Sequence, residues 1–157
     1  MQGDAQIIEA LNDVLTAELT AINQYFVHSK MCGSWGYEKL AEKKHQESIG
    51  EMKDADALIE RILYLEGVPN VQRLGEINIG ETVKEQLEAD LALEHKALAR
   101  LNEGLVICRK HGDHASEELL QRILVDEEKH TDWIETQLGL IERLGEQLYL
   151  AQQVTAG

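Results

Sequence analysis

Acidic residues recur on the apolar faces of four helical segments, at regularly spaced positions. Glu18 and Glu94 are 76 residues apart, and the same interval separates Glu51 from Glu127. Apolar residues around each glutamate repeat every three or four positions, which places them on the core-facing side of an amphipathic helix. Such a chain must bring four carboxylates into its own core. Any fold proposed for it has to explain what compensates their charge.

The glutamates are also mirror-related within each half of the chain. Glu18 and Glu51 are equidistant from residues 34–36, where helical periodicity stops, and the pair in the second half is equidistant from residues 110–113. Both segments contain glycine, which favours a turn. Residues equidistant from the turn of an antiparallel hairpin lie at the same height. The sequence therefore predicts two similar helical hairpins whose four carboxylates meet near the middle of one bundle.

Length and composition fit a single domain of long helices. The chain has 157 residues, 43% of them hydrophobic, and one proline, which suits one core with few helix breaks. The loop of residues 67–81 can run the length of the bundle, since the 14 residues from Gly67 to Gly80 reach about 45 Å when extended. We predict one all-α domain over residues 1–157, a four-helix bundle with a long crossover between helices 2 and 3 and a short fifth C-terminal helix. The predicted helices span about 5–34, 37–66, 82–111, 114–144 and 146–154.

The net charge of −14 argues against nucleic acid and anionic membranes as partners and is compatible with attracting metal cations. No apolar run approaches the roughly 20 residues that span a bilayer, and the segment Met1–Asp4 does not begin a signal peptide. These features predict a cytoplasmic protein. Cys32 and Cys108 are only two and far apart, which favours free buried thiols over a disulfide.

Cations between the helices would compensate the carboxylates. Asp54 follows Glu51 and His130 follows Glu127, each at i, i+3 on the same helix face. Oxygen ligands with an occasional imidazole suit iron or manganese better than a thiolate-preferring metal. The alternative, that all these residues face solvent, requires four independent errors in helix rotation. The predicted metal ligands are Glu18, Glu51, Asp54, Glu94, Glu127 and His130.

The segments AELTAINQYF, ESIGEMKDAD, IERILYLEG, NIGETV, LALEH and DEEKHTDWIETQL resemble bacterioferritin, and the resemblance runs from Met1 to about Tyr149. It implies a ferritin-like fold, two iron ions per subunit and a homo-oligomeric shell of twenty-four subunits built from dimers. It also implies oxidation of Fe(II) by O2 or H2O2, with ferric mineral stored inside. Haem b would lie between two subunits, held by a methionine from each, and Met52 is the matching residue. Co-assembly with another bacterioferritin subunit and a ferredoxin-type reductant for iron release are further partners suggested by the family.

The resemblance also assigns roles to individual residues. Tyr25 and Trp133 match aromatic residues near the iron, where they could supply electrons or hydrogen bonds, and ordinary core packing is the alternative. Glu51 and Glu127 match the bridging pair. The residues that match the family's iron ligands are Glu18, Glu51, Glu94, Glu127 and His130.

Asp54 departs from the family pattern, which has histidine at this position. Four carboxylates and two imidazoles balance two Fe(II) ions, whereas five carboxylates leave one net negative charge. That charge favours Fe(III) over Fe(II), or recruits a proton or another cation. We predict a working but altered centre that releases ferric iron slowly. Gln46 and Gly50 replace residues that form an inner-surface iron site in some relatives, so that site is not expected here, although Glu47 could help iron to enter.

Three functions can be compared at this point. We favour a combined ferroxidase and iron store. Asp54 favours instead a haem-binding shell subunit with an impaired ferroxidase centre. A di-iron oxidase or peroxidase of the rubrerythrin type is the third, but such proteins usually carry a four-cysteine iron module, and this chain has no Cys-x-x-Cys motif.

Overall fold

The computed structural model describes residues 1–155, which form five α-helices and no strand. Four of the helices are long and the fifth is short, which confirms the predicted fold class. Residues 156 and 157, the end of the predicted domain, lie outside the described residues. Within residues 1–155, no helix has the length and apolar character needed to cross a membrane. The helices are α1 (Ala5–Ser34), α2 (Glu38–Tyr64), α3 (Val83–Lys110), α4 (His114–Leu144) and α5 (Glu146–Ala151).

Helix α5 ends at Ala151, earlier than the predicted end at residue 154. The backbone N–H of Gln152 donates to the carbonyl oxygen of Tyr149 at 3.1 Å, and that of Gln153 donates to Leu150 at 2.9 Å. These tighter turn contacts terminate the helix. The bounds of α2 and α3 differ from the predicted ones by one or two residues at each end, as is common where helix ends fray.

Side-chain caps and glycine turns set where the long helices begin and end. Asp4, Thr82 and Asp113 each accept a backbone N–H from the first turn of the helix that follows, a contact that contributes about 1 kcal/mol. Gly36 and Gly112 have φ angles of 89° and 69°, which glycine adopts without strain. Both glycines lie in the turns predicted from the sequence.

The long helices form two antiparallel hairpins, α1–α2 and α3–α4, which pack together chiefly through α1 and α3. A groove separates α2 from α4 on the other side of the bundle. Helix α5 packs against α4, at the end where α1 meets α2. The bundle therefore has one closed flank and one flank through which its interior can be reached.

The connection between α2 and α3 runs along α1 for most of its length. Its backbone N–H groups donate to side chains spaced along α1, at distances of 2.8 to 3.1 Å. This is the long crossover predicted from the length of the segment. The donor and acceptor pairs, in order along the chain, are Asn70–Asn12, Gly75–Thr20, Asn78–Gln24 and Gly80–His28.

The apolar core is divided into two large clusters at opposite ends of the bundle. Leu11 and Leu58 are fully buried in the cluster near the N-terminus of α1, and Leu40 and Leu87 are fully buried in the other. Burial of such a side chain stabilises the fold by about 1.5–3 kcal/mol. Between the two clusters, many of the buried side chains are polar or charged. The apolar ends therefore hold four helices around a polar middle.

Candidate metal centre

Four glutamates, one from each long helix, meet in the polar middle of the bundle. Glu18 lies on α1, Glu51 on α2, Glu94 on α3 and Glu127 on α4, and none exposes more than 3% of its surface. Each lies on the apolar face of its helix, so the packing that buries neighbouring leucines also buries the carboxylates. Buried carboxylates are normally paired or coordinate metals.

The acidic side chains belong to two overlapping groups of candidate ligands. Within each group, one ligand atom per residue lies within 4.8 Å of all the others. Two residues belong to both groups, so they lie between the two positions and can give one oxygen to each of two cations. The first group is Glu51, Glu94, Glu127 and His130. The second group is Glu18, Glu51, Asp54 and Glu127.

Several carboxylate oxygens in these groups have no hydrogen-bond donor. Both side-chain oxygens of Glu18 and the Oε2 atoms of Glu94 and Glu127 are buried without a partner. Most buried polar atoms in proteins are hydrogen-bonded, and an unsatisfied acceptor costs about 1–3 kcal/mol. All these oxygens belong to the two ligand groups, so a cation held by each group would satisfy them.

Tyr25 and His130 hold Glu94 in one orientation. The hydroxyl of Tyr25 donates to Oε1 of Glu94, and Nδ1 of His130 lies 2.9 Å from the same oxygen. The ring of Tyr25 stands edge-on to His130, with 5.2 Å between centroids. Because both contacts go to Oε1, Oε2 remains available to a cation. Tyr25 is thus bonded to a candidate ligand rather than being only a packing residue.

The pKa values of the glutamates differ in direction. Burial, together with the charges of neighbouring carboxylates, raises the pKa of Glu18, Glu51 and Glu127 well above the usual value. Burial alone would also raise the pKa of Glu94, but hydrogen bonds from neighbours including Glu127 and His130 lower it. The raised values favour the protonated form of three carboxyls. Cation binding therefore displaces protons.

Asp54 lies in the second ligand group. Burial, followed by the negative charge of Asp126, raises the pKa of Asp54 to about 6. The carboxyl is only partly buried, unlike the four glutamates. Despite the short side chain, one carboxylate oxygen of Asp54 lies within 4.8 Å of a carboxylate oxygen from each of Glu18, Glu51 and Glu127.

A groove between α2 and α4 leads to the centre. Its cavity of about 330 Å³ is lined by Glu51 and Glu127 and also by Glu47 and Lys43. Glu47 Oε2 lies 3.6 Å from Nδ1 of His130, and Glu47 Oε1 lies 2.9 Å from Nζ of Lys43. Glu47 thus places a carboxylate between the solvent and the ligand groups, where it can attract a cation.

Other residues singled out in the sequence lie around this groove. Trp133 stacks on His130 with 6.1 Å between ring centroids, and Lys43 Nζ lies 5.2 Å from the centroid of the Trp133 ring. Gln46 and Gly50 line the groove but offer neither a carboxylate nor an imidazole. Neither residue therefore supplies a charged or imidazole ligand for an additional cation on this surface.

Met52 lies outside the centre. It follows Glu51 on α2 but exposes 50% of its surface. Ile49, three residues earlier and on the same side of the helix, and Phe26 on α1 are also exposed. These side chains present apolar surface and a thioether on the outside of the bundle. One chain offers one such thioether there, and a second copy would have to supply another.

A second buried polar cluster adjoins the centre, and it was not predicted from the sequence. Asp90 accepts hydrogen bonds from Gln24 at 2.8 Å, from Nδ1 of His28 at 2.8 Å and from Lys44 at 3.0 Å. None of the four exposes more than 2% of its surface. Two features of the sequence hint at this cluster: Asp90 precedes Glu94 by one helical turn, and Lys44 falls on the apolar stripe of α2.

Known proteins resemble this chain in sequence over nearly its whole length. A profile of the Ferritin-like domain family matches residues 8–144. Bacterioferritin of Mycobacterium leprae (strain TN) is 52% identical over 99% of this chain and 98% of its own length. Bacterioferritin BfrA of Mycobacterium tuberculosis (strain ATCC 25618 / H37Rv) has the same identity and coverage. Bacterioferritin of Streptomyces coelicolor is 50% identical over 96% of this chain and 90% of its own length.

Proposed function

The chain belongs to the bacterioferritin family of ferritin-like proteins, and from this premise we propose that it stores iron after oxidising Fe(II) at the centre enclosed by the four long helices. The observation that supports the proposal best is the pair of ligand groups that share Glu51 and Glu127. Fe(II) is the substrate and ferric iron is the cargo. Two Fe(II) ions give one electron each to O2, which takes up two protons to form H2O2. With H2O2 as the oxidant, two electrons and two protons yield two water molecules.

Each of the two ions would be bound by four residues. Glu51 and Glu127 would contact both ions and would set their separation. Glu18 and Asp54 would complete one position, and Glu94 and His130 would complete the other. Protons displaced from the glutamates can leave along the groove between α2 and α4. Glu47 lies in that groove and would draw the next cation towards His130, from which it is 3.6 Å away.

Tyr25→Phe is expected to weaken cation binding about tenfold, the lower end of the 10- to 100-fold loss found when the hydrogen-bond partner of a metal ligand is removed. The phenyl ring keeps the edge-on packing on His130 but cannot donate to Glu94. Isothermal titration with Zn²⁺, which is not oxidised, measures the change. The control is Tyr37→Phe, far from the ligands at the start of α2, which should leave the affinity unchanged. Equal affinities for Tyr25→Phe and the wild type would assign Tyr25 to packing.

We also propose that Met52 binds haem b at a contact between two subunits. The residues fit this group because an exposed thioether on an apolar surface could bind the haem iron, and a two-fold contact would bring the same residue from the partner. The haem would supply a redox-active iron at the subunit contact. Met52 and Ile49 would hold it there and exclude water from one of its faces.

Met52→Leu is expected to reduce haem content at least fivefold, because leucine keeps the apolar surface but has no sulfur to bind iron. The visible spectrum of the purified protein, normalised to protein concentration, measures the change. Met31→Leu, at the partly buried end of α1, serves as the control for the loss of a thioether. Undiminished haem in Met52→Leu would mean that another residue holds it.

The shell, the partners and the location extend this proposal. We propose one ferritin-like domain over residues 1–157 that assembles as a twenty-four-subunit shell of dimers, alone or with another bacterioferritin subunit. A ferredoxin-type protein would supply electrons to release the iron. The net charge of −14 opposes nucleic acid and anionic membranes as partners. The free thiols of Cys32 and Cys108 suit a reducing cytoplasm.

Stopped-flow oxidation of Fe(II), combined with native mass, tests the proposal. We expect shell-sized particles that rapidly oxidise two Fe(II) per chain and then continue with excess Fe(II), depositing mineral. An impaired shell subunit, favoured by Asp54, would assemble without the rapid phase. A di-iron oxidase or peroxidase would turn over without forming a shell or mineral.

A further inference from the structure

The end of the crossover is held to the bundle by the second buried polar cluster. Nε2 of His28 accepts the backbone N–H of Gly80 at 3.0 Å, and Oε1 of Gln24 accepts that of Asn78 at 3.1 Å. The side-chain amide of Gln86 donates to the carbonyl oxygen of Gly80 at 3.3 Å. A Cβ atom on Gly80 would lie 2.3 Å from the backbone nitrogen of Gln86. The backbone at Gly80 is therefore closely fitted to α1 and α3.

These contacts determine where His28 carries its proton. Nε2 accepts from Gly80 and therefore has no hydrogen of its own, while Nδ1 lies 2.8 Å from Oδ1 of Asp90 and donates to it. His28 is thus neutral, with its hydrogen on Nδ1. A second proton would place N–H of His28 against N–H of Gly80, and two donors cannot bond. Attachment of the crossover at Gly80 requires a neutral His28.

A buried carboxylate beside a histidine normally favours the charged imidazolium, so the neutral form needs a cause. Nζ of Lys44 lies 3.0 Å from Oδ2 of Asp90, and both side chains are 2% exposed. Burial alone would raise the pKa of Asp90, but the charge of Lys44, the hydrogen bond from His28 and the charge that His28 carries when it is protonated, and the hydrogen bond from Gln24 lower it to about 2. Asp90 on α3 and Lys44 on α2 are the charged groups at His28, and crossover residues 77–80 carry no charged side chain.

We infer that Lys44 keeps the crossover attached to the bundle: its charge compensates Asp90, so His28 stays neutral and accepts the backbone N–H of Gly80. Without Lys44, Asp90 would be a buried anion with no cation beside it. An imidazole takes up a proton at a higher pH than a carboxyl does, so a solvent proton would bind to Nε2 of His28. Gly80 would then lose its acceptor and the segment around it would leave α1.

This makes Lys44 a positioning residue for one flank of the proposed metal centre. The segment it secures covers Gln24 and His28, which are fully buried, and Gln24 is the neighbour of Tyr25 in α1. Detachment of this segment would admit water beside Gln24, next to Tyr25, whose hydroxyl orients Glu94. The inference concerns the crossover and needs no bound metal, so it can fail independently of the proposed ferroxidase function.

Hydrogen exchange measured by mass spectrometry on the assembled protein tests this inference. In Lys44→Met, peptides covering residues 76–82 should exchange at least tenfold faster than in the wild type at pH 6, after correction for the intrinsic rate. Lys39→Met, the same change at an exposed position of α2, should match the wild type. Unchanged exchange of residues 76–82 in Lys44→Met would overturn the inference.

A double variant separates the loss of charge from the loss of packing. In Lys44→Met with Asp90→Asn, no buried anion remains beside His28, so nothing favours the charged imidazolium. The amide oxygen of the asparagine can still accept the hydrogen bond from Nδ1 of His28. Protection of residues 76–82 should return to within threefold of the wild type. If Lys44→Met alone does not fold, the double variant still decides. Failure of the double variant to fold or to restore protection would mean that Lys44 acts through packing.

Discussion

Replacement of Glu127 by glutamine is expected to slow Fe(II) oxidation at least about 100-fold, since loss of even a residue that only supports a ligand can cost 10- to 100-fold. Glu127 belongs to both ligand groups, so both ion positions lose a charged oxygen donor at once. Glutamine has nearly the same size and shape, so the surrounding packing is preserved. Stopped-flow oxidation of two Fe(II) per chain measures the loss.

The same variant is expected to be more stable than the wild type when no metal is present. Burial, and then the charge of Glu51, raise the pKa of Glu127, which shows that its ionised form is unfavourable in the metal-free bundle. At neutral pH the wild-type carboxyl must take up a proton when the chain folds, whereas an amide needs none, so we expect the free energy of unfolding to rise by about 1–3 kcal/mol. Thermal unfolding in the presence of a chelator measures it as a higher Tm.

Glu128→Gln is the matched control, because it makes the same substitution at the next residue, which is exposed to solvent. Its oxidation rate should lie within twofold of the wild type and its Tm should not rise. Normal oxidation by Glu127→Gln would remove Glu127 from the centre. A lower Tm without metal would contradict the view that buried carboxylates oppose folding here.

Asp54→His is expected to speed the second round of oxidation at least tenfold. With five carboxylates, the wild-type centre carries one net positive charge when it holds two Fe(III), and it holds ferric iron tightly. Histidine raises that charge to two, which favours release. One unit charge at 4 Å is worth about 4 kcal/mol at an effective dielectric constant of 20, and a tenfold change needs only about 1.4 kcal/mol. Two successive additions of two Fe(II) per chain, followed by stopped flow, measure the first and second rounds separately.

Asp132→His provides the control for Asp54→His, since it introduces the same side chain at an exposed position of α4. It should leave both rounds unchanged. Identical first and second rounds in the wild type and Asp54→His would show that the carboxylate at position 54 has no functional effect. A slower first round in Asp54→His would show that the wild-type aspartate binds Fe(II) productively, and the charge argument would then be wrong.

The bundle and the meeting of its carboxylates could be predicted because both depend on periodicity. Spacings of three and four residues give the face of a helix, and mirror symmetry about a turn gives the height along a hairpin. These two coordinates alone specify where the four glutamates lie in the bundle, namely Glu18, Glu51, Glu94 and Glu127. The crossover could be predicted as well, because the number of residues in the connection sets how far it can reach, and that reach matches the length of the bundle.

The buried cluster around Asp90 could not be predicted in the same way. Its hydrogen bonds join α1, α2 and α3 with the end of the crossover, and no repeat in the sequence relates Gln24, His28 and Lys44 to one another. The direction in which Tyr25 donates is likewise a matter of side-chain rotation rather than of spacing. Such contacts depend on how three or four segments meet, which a one-dimensional pattern does not contain.

The separation of the apolar core into two ends bears on how such a protein can evolve. Leu11 and Leu58 at one end, and Leu40 and Leu87 at the other, pack the helices together on both sides of the middle layer. Substitutions in the middle layer therefore leave this apolar packing in place while they change the donor atoms of the proposed centre. The aspartate at position 54 is such a substitution. Different donor atoms can replace one another at this position in the course of evolution while the apolar packing at both ends is kept.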